Sequence, residues 1–155
     1  MIRHTLTIRK VGAAIAVTLG LLTGSVLLAP AAFANAYGYA YWGPVVVNGV
    51  TIPSGQLFGA VEGHGTRVDR AGGNFGAAGN LCRAYFEIAI IDPSGAEISR
   101  VHTSPGSCSH VGQAKVDMQG MVLEDGSKVS IRLFADNGRR KLAEVTHNIE
   151  PYGRW

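Results

Sequence analysis

The chain has 155 residues, with 14 lysines and arginines against 11 aspartates and glutamates, so its formal net charge is +3. This length suits one ordinary domain, and 46% hydrophobic residues can fill a core. The positive excess is contributed by Arg3, Arg9 and Lys10 alone. Because the rest of the chain is neutral, its charge gives no reason to expect a nucleic-acid partner, and we predict none.

Residues 1–34 have the three parts of a cleavable secretory signal peptide. A basic start is followed by an apolar run over residues 11–28, then by small residues ending at Ala34. Pro30 ends the apolar helix before the cleavage site. We therefore predict cleavage after Ala34, with Ala36 as the alternative site.

Cleavage would release residues 35–155 as a single secreted domain with no membrane span. A transmembrane anchor is the other interpretation of the apolar run, which is about long enough to cross a bilayer. Three glycines interrupt that run, and a cleavage pattern rather than a basic cluster follows it. These features favour export and release into the extracellular medium.

The only two cysteines of the chain are Cys82 and Cys108. Because an exported protein meets an oxidising medium, we expect them to form one disulfide. Two free thiols are the alternative. A paired cysteine cannot act as a nucleophile, so the disulfide also argues against thiol catalysis.

The apolar residues after the leader recur with a period of two, and turn residues arrive every eight to twelve positions. This pattern predicts an all-β domain of about seven or eight short strands, arranged as an antiparallel β-sandwich that is immunoglobulin-like or related. The clearest predicted strands cover residues 81–91, 96–103, 128–135 and 141–149. Weaker ones cover residues 45–52, 56–62, 66–70 and 113–123.

Glycine-containing turns mark several strand ends. Asn48-Gly49 interrupts the first weak strand, and Asn137-Gly138 predicts a hairpin between the last two strands. Gly120 lies inside a predicted strand, where glycine is typical of a bulge.

Four aromatic residues near the start of the domain form the first candidate binding segment. They alternate with small residues, and we expect their rings to share one side of an extended strand. Rings with polar tips suit carbohydrate stacking or a protein interface. The alternative is an edge strand or tail that packs on the domain near Tyr152 and Trp155. The four candidates are Tyr37, Tyr39, Tyr41 and Trp42.

The glycine-rich stretch 59–80 is the second candidate region. It lacks the lysine of a phosphate loop and the third glycine of a dinucleotide site. Its sequence is consistent with a flexible connection between strands or with a recognition loop. In the second case His64, Asn74 and Phe75 are the candidate binding residues.

No known catalytic motif is present in the sequence, so we assign no catalytic residue, cofactor or metal. A hydrolase with His64 or His110 as base, assembled only in three dimensions, is the enzymatic alternative. A zinc site is a further alternative, and it would need its ligands to converge. Its candidates are Glu62, His64 and Asp69.

One stretch of the sequence carries a resemblance. Residues 42–57 contain a Trp-Gly-Pro start, an Asn-Gly turn and an Ile-Pro break, and two spaced cysteines follow. In these features the chain resembles small secreted proteins of actinobacteria, a group without an assigned activity. The resemblance implies an exported all-β protein with one disulfide.

The sequence therefore favours a secreted, non-enzymatic binding protein. Its expected partner is an extracellular protein, such as a hydrolase, or a cell-surface glycan. The alternatives are a small secreted hydrolase and a secreted antibacterial toxin.

Overall fold

The computed structural model describes residues 35–136 and 138–151, so the predicted signal peptide lies outside it. The described residues form ten β-strands: β1 Asn35–Trp42, β2 Val45–Val47, β3 Val50–Ile52, β4 Gly55–His64, β5 Arg67–Leu81, β6 Tyr85–Ile91, β7 Glu97–His102, β8 Ser109–Val122, β9 Lys128–Ala135 and β10 Arg140–Asn148.

Two four-stranded antiparallel sheets account for most of the fold. The first has the order β1-β4-β5-β8 and the second has the order β10-β9-β6-β7, while β2 and β3 form a separate hairpin. The all-β antiparallel sandwich is thus confirmed, with ten strands instead of seven or eight. The strand order alone does not identify an immunoglobulin-like fold, so that part stays a prediction.

The core lies between the two sheets and follows the predicted alternation. On β10 every second side chain is buried from Ala143 to His147, and on β9 the apolar residues at every second position are buried, together with Ser130. Fully buried aliphatic residues from both sheets meet there, among them Leu57, Val61, Ile88, Ile131 and Leu133. Burial of this apolar surface, at roughly 25 cal/mol per Å², is what holds the sheets together.

A row of small residues lets the sheets approach closely. Gly38, Gly59, Gly73 and Ala114 are paired in turn across β1, β4, β5 and β8. A Cβ at Gly38 would lie 2.7 Å from Cγ1 of Val145 on β10, which leaves no room for a larger residue there. We call these four residues the small-residue row.

The glycine-rich stretch 59–80 is neither a flexible connection nor a loop. It forms the second half of β4 and nearly all of β5, joined by a turn at Gly65 and Thr66. The sequence prediction was wrong because glycine has low strand propensity, whereas close packing of neighbouring backbones favours it here. A Cβ at Gly73 would lie 2.5 Å from the carbonyl oxygen of Phe58.

The predicted strand over residues 81–91 is in fact divided. Arg83 has a φ of 56° and turns the chain between β5 and β6. Cys82 lies in this turn and is bonded to Cys108, which precedes β8, so the predicted disulfide is confirmed.

Two predicted turn features are confirmed. Asn48 and Gly49 both have positive φ, at 51° and 77°, as the tight turn between β2 and β3 requires. Gln119 and Gly120 also have positive φ, and the register between β5 and β8 shifts at this point, so Gly120 does mark a bulge.

Candidate functional site

The three tyrosines of β1 lie on the outward side of the first sheet. β1 is an edge strand paired only with β4 in that sheet, and side chains alternate along it. Tyr37, Tyr39 and Tyr41 are exposed to 67%, 54% and 73%, while the intervening residues point towards β10. The sequence predicted this shared side correctly.

Trp42 and Phe75 do not belong to this surface. Trp42 follows Tyr41 directly, so its side chain points inward, where it is 9% exposed and its ring covers Gly55. Phe75 is 7% exposed, and its ring centroid lies 6.0 Å from that of Phe86. The ring also covers Gly112 on the neighbouring strand β8. Both side chains are part of the core, so their assignment as binding residues is corrected.

Phe58 completes an aromatic cluster with the tyrosines. Its ring centroid lies 6.2 Å from that of Tyr37 and 5.1 Å from that of Tyr39. These separations fall in the range of favourable aromatic pairs. The cluster holds two of the tyrosine rings in place, while their outer surfaces stay in solvent.

Cross-strand pairing places other side chains next to the tyrosines. We call this outward surface of the first sheet the tyrosine face. Its three rows, read across β1, β4, β5 and β8, are Tyr37–Ala60–Gly72–Lys115, Tyr39–Phe58–Asn74–Gln113 and Tyr41–Gln56–Gly76–Val111.

A depression of about 130 Å³ opens in this surface beside Ala60 and Gly72. Phe58, Gln113 and Lys115 are among its lining residues. Glycine is required at position 72, since a Cβ there would lie 2.2 Å from the carbonyl oxygen of Ala114. The absence of a side chain at this point keeps the floor of the depression low.

One end of the depression carries an ion cluster. Arg70 donates a hydrogen bond of 3.3 Å to Glu62, and Lys115 forms an ion pair with the same carboxylate. Asp117 is the strand partner of Arg70 and is also exposed. The two positive and two negative groups balance, so this end of the surface has no excess charge.

The two remaining candidates are placed differently. Asn74 lies in the middle row of the tyrosine face, between Phe58 and Gln113. His64 is exposed at the far end of β4, where it pairs with Arg67 beyond the start of β1. The structure therefore brings Asn74, but not His64, to the tyrosines.

The histidines suggested as a hydrolytic base lie far apart. His64 is beside Arg67 at one end of β5, whereas His110 adjoins the pair formed by Gly76 and Val111. Nine residues of strand separate Arg67 from Gly76, a distance of about 30 Å. The two histidines therefore belong to different ends of the sheet and form no common site.

The suggested zinc ligands have other partners. Glu62 pairs with Arg70 and Lys115, and Asp69 accepts a hydrogen bond of 2.8 Å from Arg67. Within residues 35–136 and 138–151, no group of three or more His, Cys, Asp or Glu side chains is arranged to hold a metal ion. In the same residues no helix is long and apolar enough to cross a membrane.

The outward surface of the second sheet is organised by Arg132 of β9, and we call it the charged face. Arg132 donates hydrogen bonds of 2.9 Å to Glu87, Glu97 and Glu144. Glu87 is only 5% exposed, and Arg100 lies 3.6 Å from it. The three glutamates of this surface are thus all paired with arginine or lysine side chains.

Four groups in the second sheet have shifted pKa values, namely Glu97, Arg132, Glu144 and His147, and the last two lie on β10. Burial acts to raise the pKa of Glu144, but hydrogen bonds from Lys141, Ser130 and Arg132 outweigh it and hold that pKa at about 2. Burial lowers the pKa of His147 below its usual value, against the effect of a hydrogen bond to the carbonyl of Gly59. His147 is thus a buried histidine on the inner side of β10.

Comparison with known proteins adds no assignment to this geometry. No family model, curated protein or solved structure matches the chain. The resemblance to small secreted proteins of actinobacteria stays a prediction. The candidate site is therefore described from its geometry alone. Of its residues, the sequence predicted Tyr37, Tyr39, Tyr41 and Asn74.

Proposed function

We propose that this protein is a secreted, non-enzymatic binding module that holds its ligand on the tyrosine face. The observation that carries the proposal is the exposure of three aligned tyrosines beside a depression of about 130 Å³. Exposed apolar patches and concave surfaces are both features that mark binding sites. The disulfide between Cys82 and Cys108 is compatible with an extracellular location.

Binding is favoured over hydrolysis because the candidate groups for catalysis do not converge. Hydrolysis needs a base and a second polar group within hydrogen-bond reach of one substrate atom. His64 and His110 lie at opposite ends of the first sheet. The carboxylate nearest the depression, Glu62, is held by two cations.

The test compares ligand capture by the wild-type protein and by a variant with Tyr37→Ala, Tyr39→Ala and Tyr41→Ala. Both are immobilised and incubated with spent growth medium and with a cell-surface fraction. We expect a protein or glycan to be retained by the wild type and lost by the variant. Trp42 is left unchanged because it is buried.

A matched control removes three exposed apolar side chains elsewhere, by Val46→Ala, Val50→Ala and Ile98→Ala. This control should retain the ligand as well as the wild type does. Equal retention by wild type and tyrosine variant would contradict the proposal. Turnover of a captured ligand would contradict its non-enzymatic part.

A further inference from the structure

We infer that the ligand of the tyrosine face is a neutral polysaccharide, with one sugar ring seated in the depression beside Ala60 and Gly72. This inference rests on the proposed function and specifies its ligand. It depends on the shape of the surface, on the chemistry of its side chains and on its charge.

The tyrosine face has the shape of a shallow trough. Tyr37, Tyr39 and Tyr41 are two residues apart, which spaces them about 7 Å from one another along β1. The opposite wall is formed by β8, three strand spacings away, or about 14 Å. Between the walls the floor includes Gly72 and Gly76, which have no side chains, while Phe58 and Asn74 project from the middle row between them. A linear sugar chain would lie along the strands, with one ring in the depression and the next ones over Phe58 and Asn74.

The side chains provide the two kinds of contact that a sugar ring needs. A pyranose has C–H groups on its faces and hydroxyl groups around its rim. The exposed tyrosine rings offer flat surfaces for the C–H groups. Asn74 and Gln113, which are neighbours in the middle row, each carry amide donors and acceptors that suit hydroxyl groups.

The depression has room for one sugar ring, and it is bounded by an apolar side chain on one side and by hydrogen-bond donors on the other. Its volume is about 130 Å³, and it is open to solvent on its outer side. Phe58 supplies an apolar wall, while Gln113 and Lys115 supply donors. Glu62 already accepts from Arg70 and Lys115, so these groups are held in position before a ligand arrives.

The charge of the trough selects a neutral ligand. Arg70 and Lys115 are balanced by Glu62 and Asp117, so an acidic polysaccharide gains no net attraction. A protein partner is less suited to this surface. A standard interface needs about 800 Å² on each partner with an apolar centre poor in charge. Here the centre combines the ring of Phe58 with glycines and amide side chains, and the exposed tyrosine rings lie at one margin.

The experiment uses protein obtained by expressing the full chain. Binding is measured by calorimetric titration with five neutral hexasaccharides, namely those of β-1,4-glucose, β-1,4-xylose, β-1,4-mannose, β-1,4-N-acetylglucosamine and α-1,4-glucose. Hexagalacturonate is the acidic comparison. We expect at least one neutral oligomer to bind, and hexagalacturonate to bind at least about ten-fold more weakly.

Two substitutions test the placement of the sugar chain. Tyr41→Ala removes an exposed ring that is 73% in solvent and should weaken binding about ten-fold. Ala60→Ile fills the depression and should weaken it at least as much. Ile98→Ala, in the second sheet, should leave binding unchanged. Thermal unfolding of each variant shows that the fold is retained.

Each failure has its own meaning. Absence of binding by every neutral hexasaccharide at millimolar concentration overturns the polysaccharide inference, as does preference for hexagalacturonate. Unchanged binding in both Tyr41→Ala and Ala60→Ile overturns the placement. If the tyrosines are needed to capture a protein while no oligosaccharide binds, the proposed function stands and only its ligand class is wrong.

Discussion

The outward surfaces of the two sheets differ in how many of their side chains have partners within the protein. On the charged face, Arg132 meets three carboxylates, and buried Glu87 has cations at 2.9 and 3.6 Å. On the tyrosine face, three rings remain more than half exposed. The first surface stabilises the protein by internal pairing, whereas the second leaves contacts for a ligand. Substitutions on the two faces should therefore separate stability from binding.

The largest effect on stability is expected at the centre of the charged face. Arg132→Leu leaves Glu87 buried without its closest cation, and we expect the free energy of unfolding to fall by about 3 kcal/mol. Urea denaturation measures this loss. Arg100→Leu is the control, since Arg100 is half exposed and its removal should cost about 1 kcal/mol or less. Equal losses in the two variants would show that Glu87 does not depend on Arg132.

A smaller effect is expected where the two sheets touch. Gly38→Ala introduces a methyl group 2.7 Å from Cγ1 of Val145 and should cost about 2 kcal/mol. Adding Val145→Ala should recover part of this cost, so the two losses should not add in a double-mutant cycle. Gly76→Ala is the control, because no atom of residues 35–136 and 138–151 lies within 4 Å of the added carbon. Strict additivity would mean that this contact does not limit the approach of the sheets.

Stability should also fall with pH in two steps. The pKa of His147 is lowered in the folded state, so below its usual value of 6.5 the unfolded chain binds the extra proton. The contribution of His147 is complete above pH 6.5 and is lost as the pH falls. Glu144 acts in the same direction, with a contribution complete above 4.5 and lost as the pH falls towards 2. Denaturation across this range measures both steps.

Single substitutions separate the two steps. His147→Gln should remove the pH dependence just below 6.5. Glu144→Gln should reduce the part below 4.5, to which Glu97 also contributes because hydrogen bonds from Arg132 and Arg100 lower its pKa. A step that is unchanged in size after its own residue has been replaced would assign it to another group.

The smallest effect on stability is expected on the tyrosine face. Tyr41 is 73% exposed, so Tyr41→Ala should change the free energy of unfolding by no more than about 0.5 kcal/mol. The same variant should lose most of its ligand binding. A stability loss comparable to that of Arg132→Leu would mean that the tyrosines serve the fold, and the contrast between the two faces would disappear.

Alternation and turn chemistry made much of the fold predictable. β9 was predicted with its observed bounds and buried side, because Val129, Ile131 and Leu133 alternate with polar residues. β5 was not predicted beyond residue 70, because its glycines are unfavourable for a strand by local propensity. They occur there because the neighbouring strands leave no space for larger side chains. That space depends on tertiary packing, which local propensity does not record.

Of the candidate site, the sequence could predict only which side chains of β1 share a side. The shared side of Tyr37, Tyr39 and Tyr41 follows from a period of two, and the same rule should have excluded Trp42. Phe58, Gln113 and Lys115 were missed, because they join the tyrosines through cross-strand register. Register is fixed by bulges and long-range packing, such as the shift at Gly120, and not by spacing in the sequence.

The two sides of the first sheet differ in how much substitution they tolerate. The inner side carries the small-residue row of Gly38, Gly59, Gly73 and Ala114. Its residues face the second sheet, while the residues beside them in each strand lie on the outward side. The inner positions admit almost no substitution, whereas outward positions such as 37, 39, 41 and 113 can be varied without disturbing the core. The domain is thus suited to randomised libraries at these outward positions, from which binders of altered specificity could be selected on an unchanged framework.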